Sequence, residues 1–193
     1  RYSMGIHPAL STVTLPRFLP KLMHQNPELM FSFFHGSSHI ITEKIINYEL
    51  DFGIIVNPIN HASLSYDELF EDHVQFYQAK DRTVATDKGI LVYDARMFQC
   101  EILMKQAQHQ KLFTENRILH VDELQVIASL VAAGIGYGIL PNLVADSHYS
   151  EAIEPVKGSP IHLDRCYLVS RKQTQTSAAA VHIKEAVIKA FCD

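Results

Sequence analysis

The sequence predicts an α/β fold with mostly parallel strands, and three observations carry that prediction. Strand-like and helix-like stretches alternate along the whole chain. The run Phe52-Gly-Ile-Ile-Val56 is apolar throughout, as a strand covered on both faces must be. The segment Leu130-Val-Ala-Ala-Gly-Ile-Gly-Tyr-Gly-Ile-Leu-Pro141 reads as a helix end, a glycine stop and a short buried strand closed by proline. Gly134 follows the apolar stripe Leu124, Ile127, Ala128 and Val131, where a helix C-terminus needs a left-handed residue.

The elements follow in order. Residues 1–5 form a first strand. A first helix carries the stripe Leu15, Phe18, Leu19, Leu22 and Met23, with Pro16 near its start and Pro20 inside it, where the missing N–H predicts a bend. A second strand over 29–34 leads to Ser37 or Ser38, either of which can cap a helix carrying Ile41, Ile45 and Tyr48. Asn57-Pro58 ends the strand over 52–56. The pattern then restarts: a strand over 74–79 leaves the first unit, followed by a strand over 89–93, a helix over 97–110, a strand over 117–121 and a helix over 122–133 capped by Asp122. A short strand over 137–140 ends at Pro141, which can open the next helix. A strand over 154–156, a turn at Gly158-Ser-Pro160, a strand over 162–170 and a helix from about Ser177, burying Ile183, Val187 and Phe191, complete the chain.

Composition narrows the function. The 193 residues are 47% hydrophobic, enough for a sizeable core in one or two lobes. Net charge is −4 and the pI near 6.3, with no basic patch, so these residues are poorly suited to contact nucleic acid themselves. No apolar run approaches the ~18 residues of a membrane span. The chain opens as if entered in mid-strand, which predicts a natural N-terminal part upstream of Arg1. Cys100, Cys166 and Cys192 are far apart and form no CxxC pair, as expected of reduced thiols in a cytoplasmic protein.

Enzyme and cofactor signatures are absent. There is no G-x-S-x-G elbow, P-loop or H-E-x-x-H. Gly134-Ile-Gly-Tyr-Gly138 has the glycines of a dinucleotide loop but follows a helix and precedes a strand, the reverse of the order that aims helix amides at a phosphate. His7, His35, His39 and His120 lack metal-ligand spacing and read as surface or hydrogen-bonded histidines. Glu71-Asp72 reads as solvated surface. No catalytic residue, metal or cofactor is assigned.

In open α/β sheets, ligands bind beyond the carboxyl ends of the strands, at helix N-termini. Three turns qualify: His7-Pro-Ala-Leu-Ser-Thr12, His35-Gly-Ser-Ser-His39 and His120-Val-Asp-Glu123. Hydroxyls and backbone amides there suit a small carboxylate or similar anion.

Four stretches, in order, resemble the effector-binding domain of LysR-type transcriptional regulators. They are Leu15-Pro-Arg-Phe-Leu-Pro-Lys-Leu22 with Asn26-Pro-Glu-Leu29; His35-Gly-Ser-Ser38 with Ile45-Ile-Asn-Tyr-Glu-Leu-Asp-Phe-Gly-Ile-Ile55; Leu69-Phe-Glu-Asp-His-Val-Gln-Phe76; and the Leu130–Pro141 segment. The resemblance runs from about Tyr2 to about Phe191. It implies a two-lobed fold of the type II periplasmic-binding-protein kind, each lobe a mixed, mostly parallel sheet flanked by helices. Lobe I is expected over 1–79 and 160–193, and lobe II over 80–159, with the C-terminal helix returning to lobe I.

The resemblance also implies a small-molecule effector in the cleft between lobes. By position the family's contacts fall on His7, Ala9, Leu10, Ser37 and Asp122; Ser11 and Glu123, from the same turns, complete the candidate set. Two departures matter. The family often has Ser or Thr where this chain has Ala9, and Thr where it has Asp122. Asp122 repels an anion unless a cation or water intervenes, so an amino-bearing or neutral polar ligand stays open, as does a helix-capping role. The resemblance further implies a homo-oligomer, dimer or tetramer, with helix one set against the second lobe near residues 117–133. DNA is contacted only through a helix-turn-helix domain outside this chain, and no membrane is involved. A solute-binding protein of a transporter, on the same fold, is the alternative.

Overall fold

A computed structural model describes residues 1–81, 89–114 and 116–191. The chain forms two compact units, Arg1–Glu71 with Asp164–Asp193, and Asp72–Leu163. The division falls within two long strands, β4 (Leu64–Ala79) and β9 (Ile161–Arg171), which carry the chain out of the first unit and back. Sequence reading places those crossings at 79/80 and 159/160; the compact units divide at 71/72 and 163/164.

In the first unit, β1 (Tyr2–Ile6) lies between β2 (Phe31–His35) and β3 (Phe52–Val56), parallel to both. The first part of β9 beyond the division pairs antiparallel with β3, Val56 opposite Cys166. Helix α2 (Ser38–Ile46) buries Ile41 and Ile45 in a cluster with Leu50, Ile55, Leu64 and Val169. Helices α1 (Pro8–Gln25) and α6 (Ala178–Lys189) pack together, burying Phe18, Leu22, Ile183 and Val187. Ser177 caps α6, its hydroxyl accepting the Ala180 N–H at 3.1 Å.

The second unit orders its strands β8-β4-β7-β5-β6. Here β7 (Gly136–Pro141) is antiparallel to β4 and parallel to β5 (Ile90–Tyr93), and β6 (Arg117–His120) is parallel to β5 at the edge. The short β8 (Ile153–Pro155) pairs antiparallel with β4. Helix α3 (Phe98–His109) contributes Cys100, Leu103 and Ala107 to a core with Val74, Phe76, Leu91 and Ile139. Helix α4 (Leu124–Ala132) buries Leu124, Ile127, Ala128 and Val131, the stripe legible in the sequence. Helix α5 (Asn142–His148) follows Pro141 directly.

Several expectations are corrected. Helix α1 begins at Pro8, not near Leu15: Pro8 is preset for the first helical position, and His7 caps it. Pro16 and Pro20 therefore both lie inside, on exposed positions where water can satisfy the carbonyls they leave unbonded. Tyr48 is no part of the α2 stripe; it lies past the helix end at φ 64° and is exposed. Phe191 is half-buried, stacked on Phe70 at 5.1 Å. Asp72 is not solvated: it is buried, and its carboxylate accepts the Leu143 N–H at 3.2 Å in the first turn of α5. Cys100 and Cys166 are buried; Cys192 lies outside the described residues.

Gly134 has φ 82° and closes α4 as the sequence requires. Its N–H donates to Val131 O at 2.9 Å and the Ile135 N–H donates to Leu130 O at 3.2 Å, the paired bonds of a Schellman turn.

Tyr77 is buried between Gln75 and Asn142, donating to Asn142 Oδ1 at 2.9 Å, and burial pushes its phenol pKa up to about 12. The folded pKa lies above the unfolded value near 10, so this stabilisation is complete below pH 10 and is lost as pH rises towards 12. The loss should reach about 1–2 kcal/mol, less than the full linkage because water screens part of the phenol's surroundings. Urea melts at pH 9 and 11 of wild type and Tyr77→Phe check it: the Phe variant should fall less between the two.

Candidate functional site

At the carboxyl edge of the first unit's parallel strands, β1 and β2 end side by side, with Ile6 opposite His35. The Gly36 N–H reaches Ile6 O at 3.4 Å, so the His7 turn and the Gly36-Ser37 turn adjoin. Five of the seven candidate residues fall here: His7, Ala9, Leu10, Ser11 and Ser37.

The two helix N-termini at this edge differ in what they leave open. At α1, Pro8 has no N–H. The Ala9 N–H donates to His7 Nδ1 at 3.3 Å, and the Leu10 and Ser11 N–H groups both reach His7 O at 3.0 Å. Ser11 turns its hydroxyl onto Pro8 O at 2.7 Å. Ala9 and Leu10 are 2% and 5% exposed and belong to the core. The first turn of α1 has thus used its own donors.

At α2 the situation is reversed. Ser37 is the N-cap, yet its side chain makes no capping bond and is exposed. Its carbonyl accepts the Ile41 N–H at 3.0 Å, while the N–H groups of Ser38, His39 and Ile40 bond to no other described residue. Ser38 instead braces the turn, its Oγ accepting the Val56 N–H at 3.0 Å from the end of β3. An exposed hydroxyl and three available amides at a helix N-terminus suit an anion.

In the second unit, Asp122 and Glu123 sit between β6 and α4, both exposed. The N-cap of α4 is Glu123, through its backbone alone, and not Asp122 as the sequence suggests. The reason is Arg96, which sequence reading missed. Asp94, buried at the end of β5, accepts the Arg96 backbone N–H at 2.9 Å and takes its guanidinium in a fork, Nε at 3.0 Å and Nη2 at 2.8 Å. The same Nη2 donates to the Asp122 carbonyl at 2.6 Å, and Nη1 lies 3.8 Å from the Asp122 carboxylate. The Asp122 carbonyl is thereby tied to Arg96, one residue ahead of the N-cap. The signal was present: an Asp closing a strand two residues before an Arg is an Asx-turn arrangement. The Asp94 hydrogen bond, with Asp94, Asp122 and Glu123 all facing it, holds the Arg96 guanidinium above its ordinary pKa. One cation faces three carboxylates, so this turn is net acidic and disfavours an anion.

Arg96→Gln should therefore loosen the turn without unfolding the unit. We expect the Val121 and Ile127 amides, bonded to Tyr93 O and Glu123 O, to exchange about tenfold faster, worth about 1.4 kcal/mol locally. Unchanged exchange would show that Arg96 is ornamental to the turn.

His120 packs edge-on against Tyr93 at 4.9 Å, and among the described residues no group of three or more His, Cys, Asp or Glu could hold a metal ion. No helix of the described residues is long and apolar enough to cross a membrane.

Comparison with known proteins places these features in a family context. The family model of the LysR substrate binding domain matches residues 1–191. An uncharacterized HTH-type transcriptional regulator, YusT of Bacillus subtilis, is 28% identical over 151 residues, covering 77% of this chain and 51% of that protein. The nitrogen assimilation regulatory protein nac of Escherichia coli is 23% identical over 155 residues, covering 75% and 50%. The chain spans about half the length of the curated relatives it matches. Among solved structures, the effector binding domain of a BenM variant superposes with a TM-score of 0.74 at 18% identity, over 98% of this chain and 94% of that one. The reduced OxyR regulatory domain from Pseudomonas aeruginosa gives 0.72 at 18%, over 98% and 96%.

Proposed function

This chain belongs to the LysR substrate-binding domain family, and from that premise we propose that the open N-terminus of α2 receives an acidic group of its effector. The carrying observation is the contrast at one sheet edge: α1 has spent its amides on His7, while α2 offers the Ser37 hydroxyl and the amides of Ser38, His39 and Ile40. Of the candidate residues, Ser37 binds directly, whereas His7, Ala9, Leu10 and Ser11 shape the turn beside it.

Asp122 and Glu123, in the second unit, are the remaining candidate contacts for that effector. An acidic turn selects a hydrogen-bond donor, so the effector is a small acid that also carries an amino or hydroxyl group. Binding biases the population of domain conformations without turnover, and a DNA-binding part outside this chain reads the change. The protein works in the cytoplasm.

We further propose that a second copy covers β6. This edge strand is exposed at all four residues, with Ile118 51% exposed, and bare apolar edges are normally covered. Helix α1 of the partner is the element expected against it.

A melting screen of small acids, amino acids and neutral analogues tests the reading. An effector at a hundred times its Kd should stabilise by roughly 2.7 kcal/mol. Ser37→Ala should remove most of the response while leaving the unliganded melting temperature within about 1 °C, since Ser37 makes no capping bond. An intact response in Ser37→Ala would sink the proposed site. Ile118→Asp should lower the mass measured in solution; an unchanged mass would remove β6 from the interface.

A further inference from the structure

We propose a second, independent small-ligand site in the first unit, under the loop that follows β3, for a neutral planar heterocycle bearing an amide edge, such as a pyrimidine base. A cleft of about 250 Å³ opens there, lined by Asn57, Pro58, Asn60, Tyr66, Arg165 and Tyr167. That is fragment-sized, below the ~300–1,000 Å³ of full ligand sites, and holds one ring with its substituents.

The loop over the cleft is pinned by side chains. Asn57, at φ 46°, clamps onto β9 with three bonds: its N–H to Arg165 O at 2.9 Å, its Oδ1 from the Arg165 N–H at 2.9 Å, and its Nδ2 to Asp164 Oδ1 at 2.8 Å. Further along, the Tyr66 hydroxyl accepts the His61 N–H at 2.9 Å and donates to Ile59 O at 3.1 Å. The loop holds its shape while leaving Ile59 86% exposed, an apolar residue on a tethered loop.

Chemistry selects the ligand. Tyr66, Tyr167 and Pro58 contribute apolar surface to a lining that is otherwise polar. The cation cannot favour an acid: Arg165 gives its Nε to Glu71 at 3.1 Å, and Glu68 also faces it, so one positive charge meets two negative ones. Tyr167 is already committed to Glu68 at 3.1 Å. Asn60 is different. Its side-chain amide bonds to no described residue, and an Asn amide pairs bidentately with the donor–acceptor edge of a base. A neutral ring with a cis-amide edge matches both the apolar surface and the amide.

The cleft also backs onto both crossings between units. Asn57 holds Asp164, the first residue of the returning segment, and Arg165 holds Glu71, the last residue before the chain leaves.

The test is a titration of the isotopically labelled protein with uracil, using benzoate as an acidic ring of similar size. Uracil should shift the amide signals of Asn57, Asn60 and Arg165 saturably in the millimolar range, at least tenfold more tightly than benzoate. Asn60→Ala should weaken uracil at least tenfold; as Asn60 makes no internal bond, this variant should fold as wild type. Ser37→Ala should leave uracil binding unchanged, which separates this site from the α2 site. The proposal is overturned by an absence of saturable shifts, by equal affinity in Asn60→Ala, or by benzoate binding as well as uracil.

Discussion

Gly136→Ala is expected to cost about 4 kcal/mol and to lower the melting temperature of the chain by roughly 10 °C. A Cβ at this position would lie 2.3 Å from Ile90 O and 2.6 Å from Ile90 N. Both are backbone atoms of the paired strand β5, so no side chain can swing aside. The glycine's φ is 142°, which L side chains rarely adopt, adding strain of about 1–3 kcal/mol. Relief requires β7 to part from β5 where Ile90 faces Gly136, and Leu91 and Ile139 in the adjoining core then lose their packing. Gly158→Ala is the control. Gly158 also has positive φ, 80°, but a Cβ there would meet nothing within 4 Å, so only about 1 kcal/mol should be lost. Equal losses at the two glycines would show that backbone strain, and not the approach of β5, governs Gly136.

The same stretch shows how far sequence reasoning reaches. Gly134 as a helix stop follows from local backbone chemistry, and its Schellman bonds are where that chemistry puts them. Strand β3 spans the five residues read from its unbroken apolar run. Patterns with a period or a local steric rule are legible because one residue type satisfies them. The first half of β4 is not: Asp67 and Glu68 have low strand propensity, and the strand persists there because tertiary partners such as Lys184, 2.8 Å from Asp67, hold it.

The candidate site was legible as turns and illegible as chemistry. Sequence located the three turns that precede α1, α2 and α4, but not the residues at which α1 and α4 begin. It could not tell that His7 would consume the amides of α1 while Ser37 left those of α2 open, because that depends on side-chain direction at two adjacent turns. It likewise took Asp122 for a cap, since an Asp before an apolar stripe looks like one. The long-range partner that overrides it, Arg96, lies 26 residues away. Long-range polar pairing has no period, so it leaves only weak local traces such as the Asp94–Arg96 spacing.

Arg171→Ala is expected to destabilise the first unit by about 4 kcal/mol, through the far end of the helix that presents the proposed effector site. Arg171, buried at the end of β9, donates Nη1 to the carbonyls of Ile45 and Leu50 at 2.6 Å each, with Nη2 3.4 Å from Asp51. Hydrogen bonds from a charged donor contribute about 1.5–3 kcal/mol apiece, and removing it strands the buried Leu50 carbonyl and leaves the Ile45 carbonyl with only the Tyr48 N–H at 3.2 Å. Its guanidinium also lies 4.5 Å from the Tyr48 ring centroid. Tyr48 closes α2 in a left-handed conformation normally left to glycine, its N–H bonded to Ile45 O and the Glu49 N–H to Lys44 O. The stack offsets the strain of a bulky residue there. This predicts a coupling: Tyr48→Gly should be nearly neutral in wild type, where lost stacking balances relieved strain, and stabilising by about 1 kcal/mol in the Arg171→Ala background. Urea melts of the four proteins decide it, and strict additivity would mean the stack does not support the turn. Helix α2 is thus braced at both ends, by Arg171 behind and by Ser38 on Val56 in front. If its open amides bind the effector, Arg171→Ala should weaken the ligand-induced melting shift even where the fold survives, because the helix that carries those amides has lost its rear anchor.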